Sequence, residues 1–387
     1  MIKKVQRLLK KLHPNQQFIP TKEDLIETNN LADRLKSKKP EESLSNVLEW
    51  QDRNLRYWQD RALISQILMG LIFLSVMALY LYAGQTKLYF LLVIGLFVLM
   101  FFGKEVLNIA YNVIYLFGFI ILLIVIIALS VPSVSITSNL LFFLIAVSFL
   151  LGAIISTITQ FILKYRNIKR FIPDFAPKDT FELSLPVKKI LKYRLSICRD
   201  YAKLTAALLI NIYPKSELYF VLIPHHVATA IKVNDKTYVL DQQLPILTLD
   251  NWIQKWKTRF KRKEIKVDLL KIVNKKEEIE TEKSIKYQQK EIKKVDKIDI
   301  EEISTRIKDI LKIKIKKKDT HQITEVKIPF KGYVSVYERD EIVIYSIVES
   351  MKNKIEDELC GQIGVINDLI INQEDKDFIV TIKINTL

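Results

Sequence analysis

The stretch from His226 to Asp241 constrains this chain more than any other. Two arms rich in β-branched residues flank Asn234-Asp235, a pair with turn chemistry, and predict a hairpin. If the loop is those two residues, Val233 faces Lys236. Counting back along both arms then sets Ala228 opposite Asp241, with His226 one diagonal step away. Side chains alternate across a strand, so His226, Ala228, Ala230, Val239 and Asp241 share one face, and His225 points the other way. Diagonal neighbours lie roughly 7–8 Å apart at the backbone, close enough for a carboxylate to reach an imidazole. The two alanines leave room for a helix to pack closely against that face. Upstream, Glu217 to Ile223 reads as a buried strand that Pro224 ends.

The natural partner for the alanine face is the helix expected just before the hairpin. Cys198, Ala202, Thr205 and Leu209 recur at helical spacing, Tyr213-Pro214 supplies a stop, and Ser196 is the expected N-cap. Cys198 then lies in the first turn, where the positive end of the helix dipole favours a thiolate. Taken singly, a cysteine at a helix start is more often a small core residue, and a histidine opening a strand is usually structural. Together they define a division of labour. A thiolate at Cys198 attacks an acyl carbon, His226 manages protons, and Asp241 holds the imidazole and stabilises its charged form. The Cys198 backbone N–H is one oxyanion donor; the sequence does not identify the second, for which Tyr193 is no more than a guess.

These residues resemble a known family. Ser-Ile-Cys-Arg-Asp-Tyr-Ala at 196–202, His226 at the head of a strand and Tyr-Val-Leu-Asp at 238–241 are similar to the transglutaminase-like superfamily, in its order and at its spacing. The resemblance covers residues 187–258 and implies a papain-like domain with a Cys198-His226-Asp241 triad. Two departures stand out. Ser196 replaces a glycine that many members carry two residues before the cysteine, and Val227-Ala228 follows the histidine where many have an aromatic residue.

Hydrophobic content of 49% beside 26% charge implies segregated segments. Residues 62–83, 88–102, 106–131 and 139–163 contain no Asp, Glu, Lys or Arg. At about 1.5 Å per helical residue, three can cross a hydrocarbon layer about 30 Å thick, and the second can if extended to 84–103. The expectation is four transmembrane helices at 62–83, 84–103, 106–131 and 139–163. Arg53, Arg56 and Arg61 before them, and Lys164, Arg166, Lys169 and Arg170 after, orient both flanks to the cytoplasm of a cell-membrane protein. Apart from Lys87, which would snorkel from the edge of the second, these spans hold no Asp, Glu, Lys or Arg, which argues against a transporter. Two cysteines, Cys198 and Cys360, exclude a disulfide framework and fit a reducing compartment.

Around this core the expected organisation is an N-terminal helical cytoplasmic segment at 1–61 and the catalytic domain at 171–260. A Lys/Glu-rich helical or linker segment at 261–318 and a small α+β unit at 319–387 follow. Helices are expected at 1–12, 21–36 and 41–61, the last running straight into the first span; Asp250 is the expected N-cap of a helix through Trp252 and Trp256. The formal charge of +16 is concentrated partly in 261–318, which could lie against anionic lipid headgroups. Nucleic-acid binding is the weaker reading, since no recognition motif accompanies the charge. In the last unit, Glu325 to Tyr337 reads as paired strands around Lys331-Gly332. Ile344, Val348, Met351, Ile355 and Leu359 mark a helical face, and 364–371 and 377–385 read as two further strands. Cys360 is assigned to packing. Neither the four histidines nor the nine glycines form a metal or nucleotide pattern, so no metal and no cofactor is expected.

The fold class expected is thus α+β: a four-helix membrane region, a papain-like domain with a helix packed on an antiparallel sheet, and a small C-terminal unit. The functional expectation is a cysteine enzyme acting on protein or peptide amide bonds through a thioester, hydrolysis favoured over transfer to an amine. The alternative is a noncatalytic scaffold whose domain grips peptides. An acyl probe separates them by whether Cys198 labelling depends on His226.

Overall fold

The computed structural model describes residues 18–58, 165–166, 168–176, 179, 182, 184–282, 285–287, 289, 298–311, 323–359 and 366–385. It divides into two compact units, residues 1–58 with 184–387, and residues 59–183. In the second unit, the Tyr165 hydroxyl donates to the Phe175 carbonyl at 3.3 Å. Everything below concerns the first.

Its centre is an antiparallel sheet in the order β6-β5-β4-β3-β7-β8, with β9 also pairing β7. The strands are β3 (Leu218–Ile223), β4 (His226–Val233), β5 (Lys236–Leu240), β6 (Leu247–Thr248), β7 (Asp268–Asn274), β8 (Ile279–Thr281) and β9 (Ile285–Lys286). The β4-β5 register is the expected one, Val233↔Lys236 through Thr229↔Leu240. Asn234 and Asp235 both take positive φ, 48° and 62°, as a two-residue hairpin turn demands. A second tight hairpin joins β3 to β4: Ile223 pairs with His226, and His225 turns the chain at φ 65°.

The cysteine helix, α4 (Cys198–Ile212), covers one face of this sheet. The contact is specific: Thr229 Oγ1 donates to the Ala202 carbonyl at 2.8 Å. Thr229 faces away from Ala228 and Ala230, so the expectation that α4 packs on the alanine face is corrected. The helix α5 (Leu249–Phe260) occupies that face instead, and Ala228, Ala230 and Val239 share a buried cluster with its Trp252, Ile253 and Trp256. Small residues do admit a close helix, but here they admit indoles.

Two N-terminal helices complete the α4 side. Thr21 caps α1 (Lys22–Leu35) in a capping box with Asp24, and α2 (Pro40–Asn54) begins at a proline. Asn211 of α4 donates to the Leu25 carbonyl at 2.8 Å, and Gln51 Nε2 to Thr205 at 2.8 Å within the core. The expected helix over 41–61 stops at Asn54. The chain then forms β1 (Arg56–Tyr57), which pairs in parallel with β2 (Leu195–Ser196), just after α3 (Val187–Tyr193).

Among the described residues no helix is long and apolar enough to cross a membrane. On that finding the expected four-helix transmembrane region, and with it the integral membrane protein of the cell membrane, is corrected to a mixed α/β fold. The longest described helix is interrupted by Glu349, Lys352 and Lys354, and the largely buried α4 is only 15 residues long and carries Arg199, Asp200 and Lys203. The four runs at 62–83, 84–103, 106–131 and 139–163 lie outside the described residues, as do the expected helix at 1–12 and Cys360.

The Lys-rich segment 261–318 also departs from the expected helix or linker. Strand β7 pairs with β3 from Leu218↔Ile272 to Leu222↔Asp268 and so belongs to the central sheet. Its Leu269, Leu270 and Ile272 are buried, an apolar core that the flanking lysines dilute in composition. The helix α6 (Ile300–Ile310) follows.

In the C-terminal part, β10 (Ile323–Phe330), β11 (Ile366–Glu374) and β12 (Asp377–Asn385) form a sheet in the order β10-β12-β11. The expected pairing around Lys331-Gly332 does not form. Gly332, at φ 76°, instead starts the short α7 (Tyr333–Val336). The expected helical face is buried along α8 (Glu341–Leu359).

Candidate active site

Cys198 is the first residue of α4, and Asp200 fixes the approach to it. The buried Asp200 carboxylate accepts from Ile197 N–H at 3.0 Å, Leu185 N–H at 2.9 Å and the Ser184 hydroxyl at 3.1 Å. These bonds satisfy donors that a helix start leaves open. Ser196 is therefore not the cap. It is buried in β2 and its hydroxyl has no partner, while Ile197 takes the cap position. The sulfur is half-buried, and as first helical residue Cys198 keeps its own N–H outside the intrahelical ladder.

His226 and Asp241 meet as the hairpin register requires, with His226 Nε2 and Asp241 Oδ1 2.8 Å apart. The second carboxylate oxygen accepts from Trp252 Nε1 at 2.8 Å. Each carboxylate oxygen thus has a ring N–H donor, the arrangement that holds a carboxylate rigidly. Because Nε2 is committed to Asp241, Nδ1 is the nitrogen left for the sulfur. Cys198 lies close enough that its interactions with the ring help hold the imidazole proton.

The electrostatics agree. Burial works against a charged imidazole, but the Asp241 charge and hydrogen bond, together with Cys198, outweigh it and push the His226 pKa up to about 9. For Asp241 burial works against ionisation; the His226 charge and the two ring donors prevail and hold the carboxyl below its usual range. The resting pair is an imidazolium and a carboxylate through neutral pH.

Aromatic rings enclose the histidine. Trp256 lies 4.5 Å from the His226 ring and Trp252 6.0 Å, with Phe260 against Trp256 and the Arg259 guanidinium 4.8 Å over the Trp256 ring. Trp252 and Trp256 enter from α5, whose cap is Thr248 rather than Asp250. Tyr57 arrives from the other end of the chain through the β1-β2 pairing and stacks on Tyr201 at 6.5 Å. Partial burial, and then the nearby Cys198 and Asp241, raise its phenol pKa, while Arg259 and Arg199 oppose them. Tyr193 is buried at the end of α3.

Sequence reasoning thus placed Cys198 at a helix start and His226 beside Asp241, and missed their surroundings. The spacing of Trp252 and Trp256 on one helical face was visible, but which face of the sheet they cover was not. Nothing in the sequence linked Tyr57 to Cys198. Among the described residues no cluster of three or more His, Cys, Asp or Glu is arranged to hold a metal ion.

A helix-borne thiol, a strand-borne imidazole and a carboxylate just past the end of the adjacent strand form a papain-like arrangement. The chain belongs to the transglutaminase-like domain family, which matches residues 26–270. The match begins in α1 and runs into β7, beyond the 187–258 resemblance. A UPF0252 protein of Methanocaldococcus jannaschii is 28% identical over 375 residues, 93% of either chain. Another UPF0252 protein, from Pyrococcus horikoshii, is 34% identical over 77 residues, 19% of this chain and 25% of that protein. No solved structure matches.

Proposed function

We propose that the chain is a cysteine enzyme acting on amide bonds of a protein or peptide through a thioester intermediate, with Cys198 as nucleophile, His226 as acid and base, and Asp241 as its orienting partner. The observation that carries this reading is the His226–Asp241 bond of 2.8 Å on a ring whose proton is also held by a half-buried thiol at a helix start. A buried His-Asp pair alone is common; a thiol on the open nitrogen is what a structural pair has no use for.

The steps follow from the proton positions. The Cys198 thiolate attacks the carbonyl carbon, forming the C–S bond, and the electron pair moves onto oxygen. The Cys198 backbone N–H donates to that oxyanion. The His226 imidazolium gives its Nδ1 proton to the leaving amine as the C–N bond breaks, producing a thioester and a neutral imidazole. Water then attacks the thioester carbon, losing its proton to Nδ1, and the C–S bond breaks to release a carboxylic acid and restore the thiolate-imidazolium pair. Asp241 holds the ring and its charge throughout, and Trp252 holds Asp241. Water is the default acceptor, which favours hydrolysis over transfer to an amine.

The test is a thiol-reactive acyl probe applied to the full chain. Labelling at Cys198 that is lost in His226→Ala supports catalysis. Labelling indifferent to that substitution replaces the enzyme reading with a noncatalytic domain that binds peptides.

A further inference from the structure

We infer that the mouth of the Cys198 site selects substrates carrying a carboxylate close to the reacting acyl group, through Lys255 and Arg259 on the outer side of α5. This rests on the cysteine-enzyme reading above and gives it a substrate class: an acidic peptide.

The argument starts from helix geometry. Trp252 and Trp256 are the α5 positions turned onto His226, and each is followed three residues later by a cation, Lys255 and Arg259. Residues three and four apart are neighbours on a helix, so the two cations form one stripe beside the two indoles. Arg259 stands 4.8 Å over the Trp256 ring, which is itself 4.5 Å from the His226 ring. A guanidinium held over an indole can still direct two N–H donors at the oxygens of a carboxylate. Lys255 lies within electrostatic reach of Asp241 and of Arg259.

These charges are not balanced locally. Both side chains are exposed, and neither forms an ion pair with a described residue. Elsewhere the chain supplies its cations with acids: Arg306 holds Glu302 and Glu341, and Lys236 holds Glu338 and Asp340. Two acids near the site are already engaged. Asp241 is bonded to His226 and Trp252, and Asp52, beside Tyr201, is bonded to Gln243. Two unbalanced positive charges next to a thiol are a sink for a negative group on the incoming molecule.

The test compares iodoacetate with iodoacetamide, reagents that alkylate the same sulfur and differ in a carboxylate against an uncharged amide. The rate of modification at Cys198 is followed by peptide mapping of the full chain at low ionic strength. The iodoacetate-to-iodoacetamide rate ratio is expected to fall about five- to tenfold in Lys255→Gln/Arg259→Gln, the effect of two screened charges roughly 10 Å away. Arg259→Lys should keep most of the ratio. About 0.5 M salt should pull the wild-type ratio toward that of the double variant. If the double variant does not fold, Lys255→Gln alone reads out about half of the logarithmic effect at an exposed position. A ratio equal in wild type and variant, or unmoved by salt, overturns charge selection and leaves the enzyme reading standing. Failure of Cys198 to react with either reagent overturns both.

Discussion

Strand β5 carries an acidic network on each of its two faces, and the two are built to opposite ends. On the even face, Lys236 and Tyr238 reach Asp340 at 2.7 and 2.8 Å, and Glu338 takes Lys236, Thr248 and Asn251 at 3.1, 2.8 and 3.2 Å. On the odd face, one residue past the strand, Asp241 holds His226 and Trp252, each at 2.8 Å. The first network spends two carboxylates on four donors and uses up their bonding capacity, which makes it a clasp between the loop after α7 and the sheet. The second spends one carboxylate on two rings and leaves a ring nitrogen for a thiol. A charge saturated with partners stabilises a fold; a charge that props up one incompletely bonded group equips a site.

This contrast is open to direct attack. The largest effect is expected from His226→Ala, which should slow acyl labelling of Cys198 by about 10²- to 10⁴-fold, the range for removal of a proton-transfer group. Asp340→Asn should leave the labelling rate per folded molecule unchanged. Equal losses of labelling in the two variants would erase the distinction between clasp and site.

Stability against pH sharpens it next. The His226 pKa is raised from 6.5 to about 9, so the pair's contribution is complete below 6.5 and is lost as pH rises through about 9. At about 1.4 kcal/mol for each tenfold change in proton affinity, this is at most about 3.5 kcal/mol. The denaturation midpoint of wild type relative to His226→Gln should therefore fall between pH 7 and pH 10. A flat difference over that window would deny the ion pair. Asp241, held below its usual range, contributes above the ordinary carboxylate value and is lost at acid pH.

Smaller effects separate the networks further. Asp340→Asn should cost about 1–2 kcal/mol in chemical denaturation, because a buried tyrosine hydroxyl loses a charged acceptor while the Lys236 pair is partly screened. Trp252→Phe removes one charge-assisted bond to Asp241 but keeps most of the ring. About 1 kcal/mol, or roughly a fivefold slower labelling of Cys198, is expected. A Trp252→Phe protein that labels at the wild-type rate would show that Asp241 is positioned by packing alone.

How much of this was legible beforehand follows from range. The hairpin is read from adjacent residues: once Asn234-Asp235 is the loop, alternation alone brings His226 and Asp241 together, and the structure has that register. The start of α4 was read within two residues, but its cap was misplaced. The buried Asp200 offers a carboxylate to Ile197 N–H and holds Leu185 as well, a competition that Ser196 loses from inside β2. The stop of α2 at Asn54 was hidden because the extended β1 is stabilised by β2, far along the chain. Strand β7 was hidden because lysines dilute its apolar residues, and only a neighbour such as β3 reveals them as core. The expected membrane region illustrates the converse hazard. Apolar runs set its boundaries by composition alone, and among the described residues no helix is long and apolar enough to cross a membrane.

What the chain's order of residues determined by itself was local: the period-two alternation, the two-residue turn, and a thiol at the head of a helix. Steric repeat and loop length set these without reference to distant residues. Tertiary structure decided which helix covers which face, so that α5 and not α4 lies over the alanines. It also brought Tyr57, Trp252 and Trp256 around the histidine. That choice depends on burying indoles and satisfying a buried carboxylate at once, a sum over contacts between segments that no local pattern encodes.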